Sequence, residues 1–306
     1  MDRIGFIGLG RMGRPMASNM QKKGFDLVVY DVAPEGVAAL VEAGATAAKS
    51  VAEVAAAVDV VITMLPNSAI VTEVVTGPDG ILSAIREGGL VVDMSTIMPE
   101  ATDAVAKACA DKGVDFVDAP VGRLASHADA GQSLFMVGAT TENFERLKPA
   151  FEAMGTSIYH CGPVGAGTRT KLVNNYLAVT SCQLNAEALT LAQRFGLDLD
   201  STLDVIYGTT AMNGQLKIAW PAKVLNGDDA PGFTIDLAHK DLTLVTEAAN
   251  AAKVAMPIAA AAREAFSMAR SRGFGGKDFS AMLDAHCDAA KIEPPRLSHN
   301  SRHRPQ

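Results

Sequence analysis

Two kinds of hydrophobic pattern alternate along the first half of the chain. Short apolar runs rich in β-branched residues lie at residues 4–7, 27–30, 60–65, 90–93, 116–118 and 134–137. Alanine-rich segments with helical spacing separate them, among them residues 16–23, 36–43 and 101–110. Continuous apolar strands between helix-length segments are typical of a mostly parallel sheet covered on both faces. The pattern predicts a doubly wound α/β domain.

The pattern changes near residue 163, where Gly162, Pro163, Gly165 and Gly167 interrupt the chain. Residues 170–195 contain no Gly or Pro, which predicts one long helix between two domains. Further helical stretches lie at residues 201–207, 238–252, 257–272 and 279–290. We therefore expect an α/β domain over residues 1–163, an all-α domain over residues 164–292, and a polar, disordered tail over residues 293–306.

Composition and charge exclude several classes of protein. The chain has 306 residues, 48% of them hydrophobic, and a formal net charge of -7. It lacks the basic surface that nucleic acids or anionic membranes attract, and its apolar runs are too short to span a bilayer. The four cysteines form no CxxC pair and the six histidines no HxH or HExxH group, so we expect reduced thiols and no metal. The absence of a signal-peptide pattern predicts a cytoplasmic protein.

A glycine-rich loop carries the first chemical signal. It follows the strand at residues 4–7, opens a helix and matches G-x-G-x-x-G over Gly8, Leu9, Gly10, Arg11, Met12 and Gly13. Glycine lets the backbone approach a pyrophosphate, and a helix N-terminus offers N–H groups and a positive dipole. This context predicts dinucleotide binding on a Rossmann-type domain.

Asp31 ends the next strand, at the position where an acid binds the hydroxyls of the adenosine ribose. A carboxylate there repels the 2′-phosphate of NADP. The residues that follow, Val32 to Glu35, include no Arg or Lys. We therefore expect NAD (NADH) as the cofactor and consider NADP the less favoured alternative.

Six motifs in order resemble the β-hydroxyacid dehydrogenase family over residues 3–290. The family includes 3-hydroxyisobutyrate dehydrogenase, tartronate semialdehyde reductase and the reductases of glyoxylate and succinic semialdehyde. The motifs are residues 8–16, Met64-Leu65-Pro66, Asp93-Met94-Ser95-Thr96, Asp118-Ala119-Pro120-Val121, Gly165-x-Gly167-x-x-x-Lys171-x-x-Asn174-Asn175 and Lys240-Asp241-Leu242.

The resemblance implies a catalytic Lys171 supported by Asn175. It implies that Ser95, Thr96 and residues 118–123 line the substrate site. The residues that it places along the cofactor, beyond the glycine-rich loop, are Met64, Leu65, Pro66, Thr96 and Lys240. It also implies that the helical domain helps to form a homodimer or a homotetramer.

The residue types suit a hydride transfer to a carbonyl group, which builds negative charge on oxygen and needs a proton donor or a cation there. A lysine supplies both. Lys171 and Asn175 are four residues apart and share one helix face, while Asn174 is three residues from Lys171 and reaches the same region. We expect Lys171 to act as general acid in reduction and as general base in oxidation.

One departure from the family pattern bears on the substrate. The family commonly has Asp-x-Pro-Val-Ser-Gly-Gly, whereas residues 118–124, the substrate loop, end in Val121-Gly122-Arg123-Leu124. This variant resembles the branch of the family that reduces 3-sulfolactaldehyde. Arginine suits a bulky oxyanion such as a sulfonate. We expect Gly122, Arg123 and Asn174 to bind the substrate; alternatively, Arg123 pairs with Asp129 or lies in solvent.

Other functions stay open on the sequence alone. The substrate is a small anionic aldehyde, hydroxy acid or hydroxysulfonate, so a 3-hydroxyisobutyrate dehydrogenase or a semialdehyde reductase is the alternative within the family. An imine reductase or a non-catalytic dinucleotide-binding protein is the alternative from another class. Lys171 argues against the first, and Lys171 together with Asn175 argues against the second. The pattern does not determine the physiological direction.

Overall fold

A computed structural model describes residues 3–304. The chain divides into two compact units, Met1–Lys171 and Leu172–Gln306. The strands of the first unit are β1 (Ile4–Ile7), β2 (Leu27–Tyr30), β3 (Thr46–Ala47), β4 (Val60–Thr63), β5 (Leu90–Asp93), β6 (Asp115–Asp118), β7 (Val121–Gly122), β8 (Ser133–Gly138) and β9 (Gly155–Gly162).

Helices follow most of these strands. They are α1 (Gly13–Lys22), α2 (Pro34–Glu42), α3 (Val51–Ala56), α4 (Ser68–Thr76), α5 (Pro99–Asp111), α6 (Ala125–Asp129) and α7 (Thr141–Met154), with a 3₁₀ turn at Ile81–Ser83. The next helix, α8 (Ala166–Arg194), is 29 residues long and contains the division between the two units.

The strand order is β3-β2-β1-β4-β5-β6-β8-β7, and β9 pairs with β8. The strands from β3 to β6 are parallel, whereas β8 runs antiparallel to β6 and β7. Successive strands extend one way from β1 and the other way from β4. The two strands therefore flank a topological switch point, where open α/β sheets bind ligands at the carboxyl ends of the strands. The predicted doubly wound sheet is confirmed.

Burial explains why the central strands are apolar at nearly every position. In β4, Val60 and Ile62 belong to one hydrophobic cluster, while Val61 between them belongs to another. In β1, Phe6 and Ile7 divide between the same two clusters. Because helices cover both faces of the sheet, each successive side chain enters a core.

The second unit is helical in its described residues, which confirms the predicted change of architecture. After α8, its helices are α9 (Leu199–Tyr207), α10 (Trp220–Ala222), α11 (Ile235–Ala251), α12 (Pro257–Ser271) and α13 (Met282–Ala290). A π-helical turn lies at Gln215–Ala219, and 3₁₀ turns lie at Val224–Asn226 and Phe279–Ala281. Its core includes Trp220 and Phe266, both fully buried.

Residues 293–304, which the sequence predicts as a disordered tail, contact the second unit. Leu297 is buried, and its N–H donates to the carbonyl oxygen of Leu225 at 2.8 Å. The Ser301 hydroxyl donates to Asp200 at 2.6 Å, and Arg302 pairs with Asp204. The tail is polar in composition because its polar groups contact acids of the second unit. One leucine, Leu297, enters the core of that unit. Residues 305 and 306 lie outside the described residues.

Candidate active site

The glycine-rich loop, residues 8–13, joins β1 to α1 at the switch point. A Cβ built on Gly13 would lie 1.9 Å from the backbone oxygen of Gly8, so this position has no room for a side chain. A Cβ on Gly10 would meet no atom of the protein within 4 Å. The space above Gly10 is therefore open beside the N-terminus of α1, where a phosphate would meet free N–H groups.

Asp31 follows β2 and contacts this loop directly. Its Oδ2 accepts from the N–H of Leu9 at 2.5 Å, and its Oδ1 accepts from the N–H of Ala33 at 2.7 Å. Two backbone donors thus fix a carboxylate beside the open loop. The residues present fit a dinucleotide: the loop would hold its pyrophosphate, and Asp31 would face its adenosine ribose.

The loop after β4, with Met64, Leu65 and Pro66, is tied to the segment after β5 by a buried network. Asp93 Oδ1 accepts from the hydroxyls of Thr63 at 2.8 Å and of Ser95 at 2.6 Å. The Ser95 oxygen in turn accepts from the N–H of Leu65 at 2.9 Å. Ser95 is 1% exposed, so its hydroxyl joins two loops of the site. Substrate binding by Ser95 and Thr96 stays a prediction.

Burial raises the pKa of Asp93 to about 6, against the opposing hydrogen bonds from Ser95 and Thr63. Below the ordinary pKa of 3.8, the folded and unfolded chains both carry a proton there. As the pH rises toward 6, only the unfolded chain releases it, so the folded state loses about 3 kcal/mol of stability relative to the unfolded state.

We therefore expect Asp93→Asn, which cannot ionise, to become progressively more stable relative to the unmutated chain as the pH rises. The difference in free energy of unfolding should change by about 3 kcal/mol between about pH 4 and pH 7 in urea titrations. Asp111→Asn, at the exposed end of α5, is the control for the loss of a carboxylate as such. A difference that does not change with pH would contradict this assignment.

Lys171 is 9% exposed and lies in the second turn of α8, within the first unit. Its Nζ donates to the backbone oxygen of Val121 at 2.8 Å. Val121 belongs to the substrate loop, and Gly122 beside it is buried in β7. The structure therefore brings the predicted catalytic lysine to the predicted substrate loop.

Arg123 lies in the same loop, but its guanidinium contacts neutral oxygens. It donates to the backbone oxygen of Gln132 at 2.6 Å, to the Thr156 hydroxyl at 2.9 Å and to the Ser157 hydroxyl at 3.0 Å. The residue is exposed, and its φ of 73° is unusual for a side-chain-bearing residue. These partners differ from the expected alternative, Asp129. A role in substrate binding stays a prediction.

The second unit holds the remaining predicted residues. Asn175 is 6% exposed and donates through Nδ2 to Asp241 at 2.5 Å, while its Oδ1 accepts from Asn174 Nδ2 at 3.1 Å. Lys240 Nζ lies 3.6 Å from the other oxygen of Asp241. Asp241 is thus the group that connects Asn175 with Lys240.

Sequence reasoning did not single out Asp93 or Asp241 as members of the site. Both lie within motifs that carried the resemblance, and Asp93 also ends a strand, as Asp31 follows one. Each acid had a possible signal in the sequence. Asp93 is a charged residue at the end of an apolar strand, and Asp241 is a charged residue within a packed helix. Both acids are buried and act on other side chains, Asp93 on Ser95 and Asp241 on Asn175.

Within residues 3–304, no group of three or more His, Cys, Asp or Glu side chains could hold a metal ion. No helix in this part of the chain has the length and apolar character that crossing a bilayer requires. Cys109, Cys182 and Cys287 are buried thiols, and Cys161 is partly exposed.

Two family models match the chain. Residues 3–162 match the NAD binding domain of 6-phosphogluconate dehydrogenase, and residues 165–286 match the NAD-binding domain of NADP-dependent 3-hydroxyisobutyrate dehydrogenase. These descriptions agree with the glycine-rich loop at the switch point and with the helical second unit. They define a nicotinamide-dinucleotide oxidoreductase.

Comparison with individual proteins identifies the family within this class. The chain is 44% identical to 3-sulfolactaldehyde reductase of Escherichia coli K12, covering 93% of this chain and 95% of that protein. It is 41% identical to 2-(hydroxymethyl)glutarate dehydrogenase of Eubacterium barkeri, covering 92% and 93%. A structure of Mycobacterium tuberculosis 3-hydroxyisobutyrate dehydrogenase with L-serine superposes with a TM-score of 0.87 at 32% identity, covering 93% and 99%. The chain belongs to the β-hydroxyacid dehydrogenase family, whose members oxidise CH–OH groups or reduce the corresponding carbonyl groups.

Proposed function

We propose that the protein reduces 3-sulfolactaldehyde with NADH to 2,3-dihydroxypropane-1-sulfonate, or catalyses the reverse oxidation. The observation that carries this proposal is the 2.8 Å hydrogen bond from Lys171 Nζ to Val121, two residues before Arg123 in the substrate loop. The proton-donating ammonium of Lys171 thus contacts the substrate loop at Val121, and the same loop carries a permanent cation at Arg123. A small substrate with a carbonyl at one end and a sulfonate at the other suits this arrangement.

The chemistry follows from where charge develops. When bound, NADH supplies the hydride that reaches the carbonyl carbon. Lys171 exchanges its bond to Val121 for one to the carbonyl oxygen and donates a proton as that oxygen becomes negative. Asn175 follows one turn further along α8, and its neutral amide is the proposed support for this lysine. In oxidation, Lys171 in its neutral form removes the proton from the alcohol.

The preference for NAD over NADP rests on Asp31. Because the N–H groups of Leu9 and Ala33 fix its carboxylate, the negative charge stays beside the loop that would hold the pyrophosphate. A 2′-phosphate would meet this charge, whereas two ribose hydroxyls would donate to it. Val32, the next residue, is 90% exposed and offers no cation to a phosphate.

Arg123 is the proposed sulfonate-binding group. Its present acceptors are two hydroxyls and a backbone carbonyl, all neutral. A sulfonate adds to the hydrogen bonds a charge–charge attraction to the guanidinium that these neutral acceptors lack. An arriving sulfonate therefore competes well for the guanidinium, and the exposed side chain is free of dense packing that would oppose this exchange.

A second candidate function is supported by the same three contacts of Arg123. If Gln132, Thr156 and Ser157 keep the guanidinium, the substrate loop offers only its backbone N–H groups to an anion. A carboxylate such as that of 3-hydroxyisobutyrate suits such a loop, and the superposable M. tuberculosis structure is a 3-hydroxyisobutyrate dehydrogenase. The two candidates differ in whether Arg123 leaves its neutral acceptors.

The direct test is a panel of substrates followed by NADH absorbance at 340 nm. The panel contains sulfolactaldehyde and the semialdehydes of methylmalonate, tartronate and succinate, each with NADH and with NADPH. We expect the highest kcat/KM for sulfolactaldehyde with NADH, by at least about tenfold. A higher value for methylmalonate semialdehyde would favour the second candidate, and equal use of NADPH would exclude the proposed role of Asp31.

Replacing Arg123 separates its two possible roles. Arg123→Gly should lower kcat/KM for sulfolactaldehyde about 100-fold, because a charge-assisted bidentate contact is lost, and affect methylmalonate semialdehyde less than about fivefold. Ser157→Ala is the matched control, since it removes one neutral acceptor and leaves the cation. It should leave the sulfonate kinetics within about twofold. Parallel losses in both variants on both substrates would show that Arg123 only supports the loop.

A further inference from the structure

Asp118, at the end of β6, holds the beginning of α8. Its Oδ1 accepts from the N–H of Gly165 and its Oδ2 from the N–H of Thr168, both at 2.6 Å. The carboxylate is 1% exposed. Burial raises its pKa, while the hydrogen bonds from Thr168 and Gly165 act in the opposite direction. Both oxygens of one acid are thus used by backbone donors of a single helix turn.

These donors are the ones that a helix cannot satisfy by itself. The first four N–H groups of a helix have no intrahelical partner and carry a partial positive charge, which an ionised carboxylate stabilises. No side chain can be added at Gly167, because its Cβ would lie 2.2 Å from the backbone oxygen of Met136. Close approach and buried charge therefore fix this turn against the sheet.

Contacts with α5 add to the same fixation. The hydroxyls of Thr102 and Thr168 lie 3.1 Å apart, and both residues are buried. Arg169 donates to both oxygens of Asp103 at 3.0 and 2.7 Å, but this pair is half exposed and contributes less. Lys171 lies about one turn after Thr168 and belongs to the same compact unit.

We propose that Asp118 is a positioning residue for Lys171, an inference that rests on the proposed catalytic role of that lysine. Asp118 fixes the helix turn that precedes Lys171. Val121, three residues after Asp118, accepts the hydrogen bond from the Lys171 ammonium. The segment 118–121 therefore determines both the origin of the lysine side chain and the position of its charged end.

Asparagine cannot replace this acid without moving the helix. Its one oxygen accepts from either Gly165 or Thr168, and its NH₂ group then faces the other N–H, a donor against a donor. The turn must shift to relieve this contact. Displacements below 1 Å are enough to lower turnover strongly when a proton donor must meet a developing charge. The hydrogen bonds of Asp118 go to Gly165 and Thr168, so we expect the cofactor loop, residues 8–13, to keep its structure.

The test is a double-mutant cycle on whichever aldehyde the unmutated enzyme reduces best. Asp118→Asn should lower kcat at least tenfold, with the KM for NADH within twofold of the unmutated value. In a Lys171→Ala background the same substitution should lower the residual kcat less than twofold, because nothing is left to position. NADH titration gives the concentration of competent sites, so partial unfolding does not enter kcat.

Asp103→Asn is the matched control, since it removes an acid that contacts the same turn from the exposed side, and it should change kcat less than twofold. If Asp118→Asn does not fold, Thr168→Val replaces it. This variant removes a hydroxyl that also bonds the Asp118 carboxylate and should lower kcat three- to fivefold, with the same loss of effect in Lys171→Ala. Equal factors in both backgrounds, or none in either, would overturn the proposal; failure of the sulfonate assignment would instead appear as a different preferred aldehyde.

Discussion

Lys171→Ala is expected to lower kcat at least about 1000-fold while leaving the Kd for NADH within about twofold. The substitution removes both the proton donor and the cation at the oxygen that gains charge, and each contributes about 10²- to 10³-fold in comparable sites. Because Lys171 donates to the substrate loop at Val121, we expect its removal to leave the glycine-rich loop and the cofactor site intact. Stopped-flow turnover at 340 nm and NADH fluorescence titration measure the two quantities.

One further variant and one rescue experiment make this prediction specific. Lys107→Ala, on the exposed face of α5, controls for the loss of a lysine as such and should leave kcat unchanged. Adding methylamine to Lys171→Ala should restore part of the turnover, since a free amine can enter the space left by the side chain. Turnover within tenfold of the unmutated enzyme, or equal losses in NADH affinity, would remove Lys171 from the chemistry.

The parallel strands could be predicted because burial on both faces leaves a continuous apolar run in the sequence. The bounds of β1, β2 and β5 match their runs, whereas the run at residues 60–65 continues past the end of β4. The extra residues, Met64 and Leu65, are apolar because they lie in a loop at the switch point. The apolar character of these two residues therefore follows from the position of the loop and does not indicate a longer strand.

The strand β9 could not be recognised in the same way. It pairs only with β8, and its residues 159 and 160 are exposed, so its sequence mixes Tyr, His and Cys with small polar residues. An edge strand that is covered on few sides leaves no clear period. The contacts of residues 293–304 could not be predicted for a related reason. The contacts to Asp200, Asp204 and Leu225 are long-range and leave no local pattern in the sequence.

The candidate site also contains features that the local sequence predicts and features that depend on the fold. Lys171, the glycine-rich loop and Asp31 carry local signals: a motif, a spacing and a strand end. The partners of Ser95 and Arg123 come from segments that only the folded sheet brings near, Leu65 across β4 and β5, and Ser157 from β9. The sequence therefore indicated which residues could take part in the chemistry. The fold determines which of their polar atoms already have hydrogen-bond partners.

Gly13→Ala is expected to raise the Kd for NADH at least about 100-fold and to destabilise the fold by about 2–3 kcal/mol. The added methyl would lie 1.9 Å from the backbone oxygen of Gly8, so α1 must move away from β1. This movement separates the N–H groups of the helix N-terminus from the phosphates that they would bind. Isothermal titration with NADH and urea unfolding measure the two effects.

Gly10→Ala is the matched comparison, because it adds the same methyl group to the same loop where no protein atom lies within 4 Å. Gly10 has no positive φ, so alanine adopts its backbone conformation, and stability should change by less than about 1 kcal/mol. NADH affinity should nevertheless fall at least about tenfold, since the methyl fills the space over which the pyrophosphate would lie. If Gly10→Ala binds NADH normally, the dinucleotide does not cross the loop at this point. If Gly13→Ala loses affinity without losing stability, the approach of α1 to β1 is not what the glycine provides.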